Sequence, residues 1–302
     1  KYCPWIELMT DDFRASLPQH AYDANKVQLN ERQVATQCGI KMPELMAMAG
    51  KAAFDNIRIE FPTKKAWLIY CGKGNNGGDG CVIAKLAMAM GLSIHVIILA
   101  RENQVVGDAK YHLNQLQDEI TQLRSTKERD SLAQEIRITF NDNIEKVGIE
   151  SSEKSYDLVV DAIFGIGFNG SLNPSYQNII KAINLASQPR VSIDVPSGLN
   201  ASAGAVKSLA VKATLTISFI ALKQGLITGK SPEYTGKLVV EGLSLQRSFH
   251  QTIVSDCFVL NKFENAKLHS DITIPNLPKR SPISHKGTFG TVLLIGGNKN
   301  YP

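Results

Sequence analysis

The stretch AWLIYCGKGNNGGDGCVIAKLAMAMG, residues 66–91, constrains the fold more than any other part of this chain. It opens with a short apolar run, continues with five glycines between Gly72 and Gly80, and ends with apolar residues at helical spacing. This order predicts a buried strand, a glycine turn and a helix. Backbone N–H groups at the N-terminus of such a helix can bind a phosphate, helped by the helix dipole.

The loop GKGNNG, residues 72–77, satisfies the dinucleotide fingerprint G-x-G-x-x-G, and Glu102 follows near the end of the next predicted strand. Alone this pattern is weak, because glycine-rich turns match it by chance. The carboxylate of Asp79 makes the loop unusual, since it would repel a bound pyrophosphate unless a cation, a hydroxyl donor or a proton transfer offsets the repulsion. The alternative is that Asp79 is only a first-turn helix residue favoured by the helix dipole.

The composition narrows the class of protein. A chain of 302 residues with 43% hydrophobic content can bury one large core or two smaller ones. The net charge of +5 is spread over scattered Lys and Arg residues, so we expect neither a nucleic-acid nor a membrane partner. Five cysteines without C-x-x-C spacing argue against disulfides, and no signal peptide or membrane-length apolar run is visible. We therefore expect a cytoplasmic protein without a zinc site.

Predicted strands and helices alternate between residues 66 and 241, with about seven strands. This alternation predicts an α/β fold with a doubly wound, mostly parallel, Rossmann-like sheet and helices on both faces. The preceding segment, residues 9–59, is predicted to be helical, with Asn30 as an N-cap. An apolar stripe from Leu45 to Ala53 is interpreted as a core-packing face.

The character of the chain changes after Leu243. Residues 244–280 are polar and poorly periodic, prolines cluster near residue 280, and a new apolar strand is predicted at residues 291–295. We therefore divide the chain into a domain at residues 1–243 and a linker with the start of a second domain at residues 244–302.

Two more loops follow predicted strands, DAIFGIGFNGS at residues 161–171 and IDVPSG at residues 193–198. In a doubly wound sheet, ligands bind outside the carboxyl ends of the strands, so these loops and the first one should meet. Asp161 and Asp194 could instead hold their own turns through local hydrogen bonds.

Asn76, Asp161 and Ser197 together offer hard oxygen ligands with a single charge. That set suits a monovalent cation better than a transition metal, which prefers nitrogen or sulfur. A hydrolase nucleophile is not expected at Ser197, because the G-x-S-x-G elbow is missing.

The motifs GKGNNGGDG, DAIFGIGFNG, SIDVPSGLN and FIALKQGLITG, in this order, resemble the NAD(P)H-hydrate epimerase family over residues 9–243. In addition, SHKGTFGTVLLIGGN resembles the opening of the ADP-dependent NAD(P)H-hydrate dehydratase, a ribokinase-like domain, as in the fused bacterial repair enzymes. The resemblance implies an isomerase that epimerises the R and S forms of hydrated NADH and NADPH for an S-specific dehydratase. It also implies a homodimer or higher homo-oligomer. ADP or ATP would serve only the dehydratase half, whose activity we do not expect here.

The resemblance further implies roles for single residues. Asp194 would contact the reacting ring as the acid–base group, and Asn76, Asp161 and Ser197 would hold one potassium ion. Ile166 departs from the family, which often has Thr there, and this affects a hydroxyl contact rather than the backbone. The residues implied in binding the hydrated dinucleotide are Asn75, Asn76, Gly77, Gly78, Asp79, Gly165, Ile166, Gly167, Phe168, Asn169, Gly170, Ser171 and Asp194.

Two other functions remain as alternatives. A Rossmann dehydrogenase explains the first loop but neither Asp79 nor the oxygen cluster. A non-catalytic dinucleotide-binding or self-associating scaffold of the same fold could lose acids such as Asp194, so the intact set favours an enzyme.

Overall fold

The computed structural model describes residues 20–125, 136–141 and 156–258. Its main sheet has seven strands, and every neighbouring pair is parallel. The predicted parallel, doubly wound α/β sheet is thereby confirmed. In their order across the sheet, the strands are β4 (Ile136–Phe140), β3 (Ser93–Ile98), β2 (Ala66–Cys71), β5 (Leu158–Ala162), β6 (Arg190–Ile193), β7 (Leu215–Phe219) and β9 (Lys237–Glu241).

A second, three-stranded sheet joins distant parts of the described chain. Strand β1 (His20–Tyr22) pairs in parallel with β8 (Leu222–Lys223) and antiparallel with β10 (Cys257–Phe258). The α-helices are α1 (Ala24–Gln37), α2 (Met42–Glu60), α3 (Asn75–Ala89), α4 (Gly107–Ser125), α5 (Pro174–Leu185) and α6 (Gln246–Thr252), with 3-10 turns at Glu102–Gln104, Gln224–Leu226 and Ser231–Glu233.

Both faces of the main sheet are covered by helices. In β2, Trp67 and Ile69 belong to the hydrophobic cluster under α2, α3 and α4, while Leu68 and Tyr70 belong to the cluster under α5. Side chains alternate across a strand, so a strand buried on both faces needs a continuous apolar run. The unbroken run in this strand is therefore explained by its central place in the sheet.

The order of the strands decides where ligands can bind. From β2 the chain moves outward through β3 and β4, and then returns to place β5 on the other side of β2. Such a reversal separates the loops that follow the two central strands and leaves a crevice at their carboxyl ends. Here the flanking loops are the glycine loop after β2 and the loop after β5.

The prediction that Asn30 is the N-cap of a helical turn beginning at Glu31 is wrong. Helix α1 begins at Ala24, and the side chain of Asp23 accepts a hydrogen bond from the Asn25 N–H at 2.9 Å. Asn30 lies inside the helix and donates to the Lys26 carbonyl at 2.7 Å. An asparagine can satisfy its amide in this way within a helix, so its preference for N-caps did not decide the helix start.

The beginning of the predicted linker packs on the first folded unit. Leu245 and Phe249 are fully buried in its main hydrophobic cluster, and β10 pairs with β1. The predicted strand at residues 291–295 lies outside the described residues, so the domain division stays a prediction. Among the described helices, none is long and apolar enough to span a membrane.

Candidate active site

A cavity of about 500 Å³ lies at the carboxyl ends of the central strands. The loops after β2 and β5 form two of its walls, Asp194 just after β6 and Lys223 at the end of β8 form the floor, and residues of α1, α2, α4 and the end of β7 complete it. The lining includes most of the predicted binding residues, namely Asn75, Asn76, Asp79, Gly165, Ile166, Gly167, Phe168, Asn169, Gly170 and Asp194. Three separate predicted loops therefore converge on one site.

Gly77, Gly78 and Ser171 were also predicted to bind the ligand but do not line this cavity. A Cβ atom on Gly77 would collide with the Gly72 carbonyl, and one on Gly78 would lie 2.9 Å from the Cα of Ala109 in α4. These two glycines allow the loop to fold tightly and α3 to pack closely on its neighbours. A ligand role for these three residues stays a prediction.

Asn76 presents a buried amide to the site. Its side chain is 7% exposed, and neither its oxygen nor its nitrogen has a hydrogen-bond partner in the described part of the chain. Buried polar groups are nearly always paired, because an unpaired one forfeits its hydration without compensation. Asn76 thus offers a donor and an acceptor to a bound group.

Asp161 and Ser197 are brought into direct contact. The Ser197 hydroxyl donates to Asp161 Oδ1 at 2.5 Å, and the Ser197 N–H and the Ser192 hydroxyl donate to Oδ2 at 2.9 and 2.8 Å. The Ile163 N–H adds a longer bond of 3.3 Å, so Asp161 does hold its own turn as the alternative interpretation expected. Burial raises the pKa of this carboxyl, while the Ser197 hydrogen bonds oppose the rise.

Asp194 is held by a buried lysine that sequence reasoning missed. The Lys223 ammonium lies 2.6 Å from Asp194 Oδ1, and the Ile166 N–H donates to Oδ2 at 3.0 Å. Lys223 is 1% exposed and spends its other donors on the Ser218 hydroxyl and the Phe219 carbonyl. The available signal was one lysine inside the apolar run FIALK, to which the motif assigned no role.

The backbone at Asp194 is strained. Its φ of 64° lies in the left-handed region that favours glycine, and its carboxylate bonds to Ile166, Ser218 and Lys223, which all lie outside its own turn. Strain of this kind persists only where surrounding contacts impose it, and it concentrates at functional sites. The alternative that Asp194 merely holds its turn is therefore not supported.

Two more carboxyls face the same floor. Asp79 is 8% exposed, and burial, reinforced by Asp194 and Glu31, raises its pKa well above the usual range. Glu31 of α1 lines the cavity, and burial together with Asp194 raises its pKa to about 7, against the opposing charge of Lys223. Sequence reasoning missed Glu31, because nothing in the chain order links the first helix to strand ends far along the sequence.

The remaining walls are apolar and aromatic. Leu45, Met46 and Ala49 of the predicted core stripe are buried and also line the cavity, so the stripe serves both purposes. Phe164 stacks on Phe168 with ring centroids 4.9 Å apart, beside the tilted ring of Tyr176. Flat apolar walls with a few converging polar groups are typical of sites for ring-bearing ligands.

Residues 43–225 match the family described as YjeF-related protein N-terminus. The chain is 35% identical over 277 residues to the bifunctional NAD(P)H-hydrate repair enzyme Nnr of Coxiella burnetii, covering 92% of this chain and 50% of that protein. It is 35% identical over 283 residues to the enzyme of the same name from Escherichia coli, covering 94% and 49%. The repair enzyme of Leishmania braziliensis is 31% identical over 285 residues, covering 94% and 47%.

The chain thus spans about half the length of the curated relatives it matches. Among solved structures, yeast ynu0 superposes with a TM-score of 0.54 at 20% identity, covering 67% of this chain and 81% of that one. At that identity the likeness supports the fold alone.

Proposed function

This chain belongs to the family described as YjeF-related protein N-terminus, and from that premise we propose that it epimerises the R and S forms of hydrated NADH and NADPH. The matched relatives are named NAD(P)H-hydrate repair enzymes, which supports the choice of substrate. One structural observation carries the proposal: Asp194, ion-paired with the buried Lys223, lies on the floor of a cavity between two glycine loops.

The reaction asks for acid–base chemistry at a ring carbon. In the hydrated cofactor the hydroxyl-bearing carbon neighbours the ring nitrogen, whose lone pair can expel hydroxide and leave a planar iminium. Water that returns to the opposite face completes the epimerisation. A positioned group must protonate the leaving hydroxyl, and a base must accept a proton from the incoming water.

We assign the acid–base role to Asp194, with Lys223 as the cation that holds its carboxylate in place. Asn75 and Asp79 orient the ring from the first loop, where both line the cavity. The N-terminus of α3 and the loop from Gly165 to Ser171 hold the phosphates, since backbone N–H groups at a helix start favour anions. Phe168 and its stacked neighbour provide a flat surface for an aromatic ring.

We also propose one potassium ion held by Asn76, Asp161 and Ser197, which would supply a fixed positive charge beside the loops. The unpartnered amide oxygen of Asn76 supports it, as does the fully buried Asp161 carboxyl, which is in contact with the Ser197 hydroxyl. Among the described residues, no three His, Cys, Asp or Glu side chains are grouped so as to hold a metal ion. The three proposed ligands instead offer hard oxygen atoms, which suit potassium better than a transition metal. The Ser197 hydroxyl donates to Asp161 here, so it would turn when the ion binds.

The alternatives explain less of the site. A dehydrogenase needs an intact nicotinamide cofactor and a reducible substrate, and its mechanism does not account for a carboxyl at Asp79. A scaffold needs no strained, buried ion pair, whose formation brings little stability. A cytosolic location, a homo-oligomer and an ADP- or ATP-dependent dehydratase in the same polypeptide remain parts of this proposal.

A coupled assay tests the proposed reaction. We expect the purified chain, supplied with an S-specific dehydratase and ADP, to consume the R form faster than it disappears without the chain. Asp194→Asn should lower that rate by about 10²–10⁴-fold, because the acid–base group is lost, while binding of the hydrated cofactor persists in titration calorimetry.

Asp118→Asn on the exposed surface of α4 is the matched control and should react at the wild-type rate. An Asp194→Asn variant that binds the substrate and reacts as fast as this control would exclude Asp194 from the chemistry.

A further inference from the structure

Epimerisation places a geometric demand on the site. The hydroxyl leaves one face of the planar iminium, and water must add to the other face. A single carboxyl standing on one face cannot reach both oxygens without a reorientation of the ring. If the proposed function holds, a second acid–base group is therefore expected on a wall that does not carry Asp194.

Helix α1 forms such a wall. Val27, Gln28 and Glu31 line the cavity from one face of this helix, because residues three and four apart are neighbours on a helix surface. The wall is fixed in place, since β1 immediately before the helix pairs with β8 and sets Tyr22 opposite Lys223. Gln28 also approaches the second glycine loop, where its Nε2 lies 3.3 Å from a Cβ built on Gly167.

Glu31 is the one acidic side chain that this wall contributes. The charged groups acting on it are Asp194 at the end of β6, Lys223 of β8 and Arg32 on its own helix, and it acts in turn on Asp79 of α3. The ammonium of Lys223 is committed to Asp194 at 2.6 Å, and within the described part of the chain neither Glu31 nor Asp79 forms an ion pair of its own. Burial and the charge of Asp194 raise the pKa of Glu31 to about 7, so near neutral pH it can both give and accept a proton.

We propose that Glu31 is the second acid–base residue of the epimerase, serving the ring face opposite to that served by Asp194. Two carboxyls on different walls, one ion-paired with a lysine and the other without such a partner among the described residues, can divide the acid and the base roles. The carboxylate of Asp194, bound to Lys223, is set up as the base, and Glu31 in its protonated form is the acid.

The proton and electron balance follows from this assignment. For one epimer, protonated Glu31 gives its proton to the ring hydroxyl, the carbon–oxygen bond breaks, water leaves, and the nitrogen lone pair becomes the iminium double bond. Water then attacks the other face, its proton passes to Asp194, and the double-bond electrons return to nitrogen. One proton has moved from Glu31 to Asp194, which is the starting state for converting the opposite epimer.

Oxygen-isotope exchange can show which acid–base group serves which face of the nicotinamide ring. Each epimer is prepared with a heavy oxygen isotope in the ring hydroxyl, and label loss and inversion are measured separately for wild type, Glu31→Gln and Asp194→Asn. A variant that keeps one group can still expel and re-add water on that face. We therefore expect Glu31→Gln to wash the label out of one epimer without inverting it, and Asp194→Asn to do so only for the other epimer. Inversion should fall by about 10²–10⁴-fold in both variants.

The controls distinguish chemistry from folding. Glu60→Gln, at an exposed ion pair with Lys237 and outside the cavity, should invert and exchange both epimers at wild-type rates. Glu31→Asp keeps a carboxyl and should retain label loss from both epimers at a lower rate, even if Glu31→Gln fails to fold.

Several results would overturn the inference. They are wild-type inversion by Glu31→Gln, label loss from the same epimer in both variants, or loss of exchange from both epimers in a folded, substrate-binding Glu31→Gln protein. The last result would make Glu31 a positioning residue. A wild-type chain that inverts neither epimer would overturn the proposed function itself, whereas an active wild type with an unchanged Glu31→Gln overturns this inference alone.

Discussion

At the scale of single residues, a contribution to folding stability does not explain why Asp194 and Lys223 form a buried ion pair. Both are buried, and the attraction within a buried ion pair only about offsets the loss of hydration of its two charges. Asp194 also keeps a φ of 64°, a conformation that costs a residue other than glycine on the order of 1–3 kcal/mol. A pair maintained at such a cost is best explained by its place on the cavity floor.

Removing one partner of this pair should be severe. Lys223→Met leaves Asp194 buried without a cation, and we expect the free energy of unfolding to fall by about 3–5 kcal/mol in urea titrations. Lys51→Met, which breaks an exposed pair with Asp55 on α2, should cost less than about 1 kcal/mol. Equal losses in the two variants would show that the buried pair has no special energetic status.

At the scale of elements, α3 is unusual in being buried along most of its length. It packs between α2 and α4 and against β2, and its first two turns contain three glycines. Gly80 lies against the Cys71 sulfur and the Ala162 methyl group, and Gly78 lies against Met46 and the backbone of Ala109. The glycines whose pattern predicts a phosphate-binding loop therefore also allow α3 to pack closely against the sheet, α2 and α4.

Gly78→Ala tests this packing role. The added methyl group can displace the flexible Met46 side chain, but it meets the Ala109 backbone at 2.9 Å, so α3 and α4 must separate. We expect a loss of about 1–3 kcal/mol in unfolding free energy, despite the better helix propensity of alanine. Gly170→Ala is the control, because its Cβ would have no neighbour within 4 Å, and it should change stability by less than about 0.5 kcal/mol.

At the scale of the whole molecule, the fold gathers like charges that lie far apart in the sequence. Glu31, Asp79 and Asp194 come from α1, the first turns of α3 and the end of β6, and the charge of Lys223 acts on Glu31 and Asp79 besides its ion pair with Asp194. Burial and mutual repulsion favour the protonated forms of Glu31 and Asp79. The cavity should therefore hold protons at neutral pH, at a cost in stability as pH rises.

The sign of the pH effect follows from the pKa of Glu31, which folding raises from 4.5 to about 7. The folded state binds more protons than the unfolded chain between these values, so this group lowers stability as pH rises through the window. We expect Glu31→Gln to be more stable than wild type by about 1–3 kcal/mol at pH 8 and indistinguishable from it at pH 4. Urea titrations at the two pH values measure the difference, and a gap of equal size at both would contradict the assigned cause.

The amino-acid sequence by itself determined the fold class and the meeting of the loops. Apolar runs and helical spacings are local patterns, and all seven predicted strands of the parallel sheet are present in the described structure. The carboxyl ends of parallel strands share one edge of a sheet, so the loops carrying Asp79, Asp161 and Asp194 had to lie near one another. Those residues could be predicted because each follows its own strand directly.

Only the tertiary structure decided which groups complete the site and which of its carboxyls are protonated. Lys223 reaches Asp194 because a two-residue strand, β8, pairs with β1, and Glu31 lines the same cavity because that pairing sets the start of α1. No local pattern encodes such long-range pairing. The protonation of Glu31 and Asp79 was likewise unreadable in the sequence, since burial and neighbouring charges, which exist only in the folded chain, raise the pKa of each carboxyl.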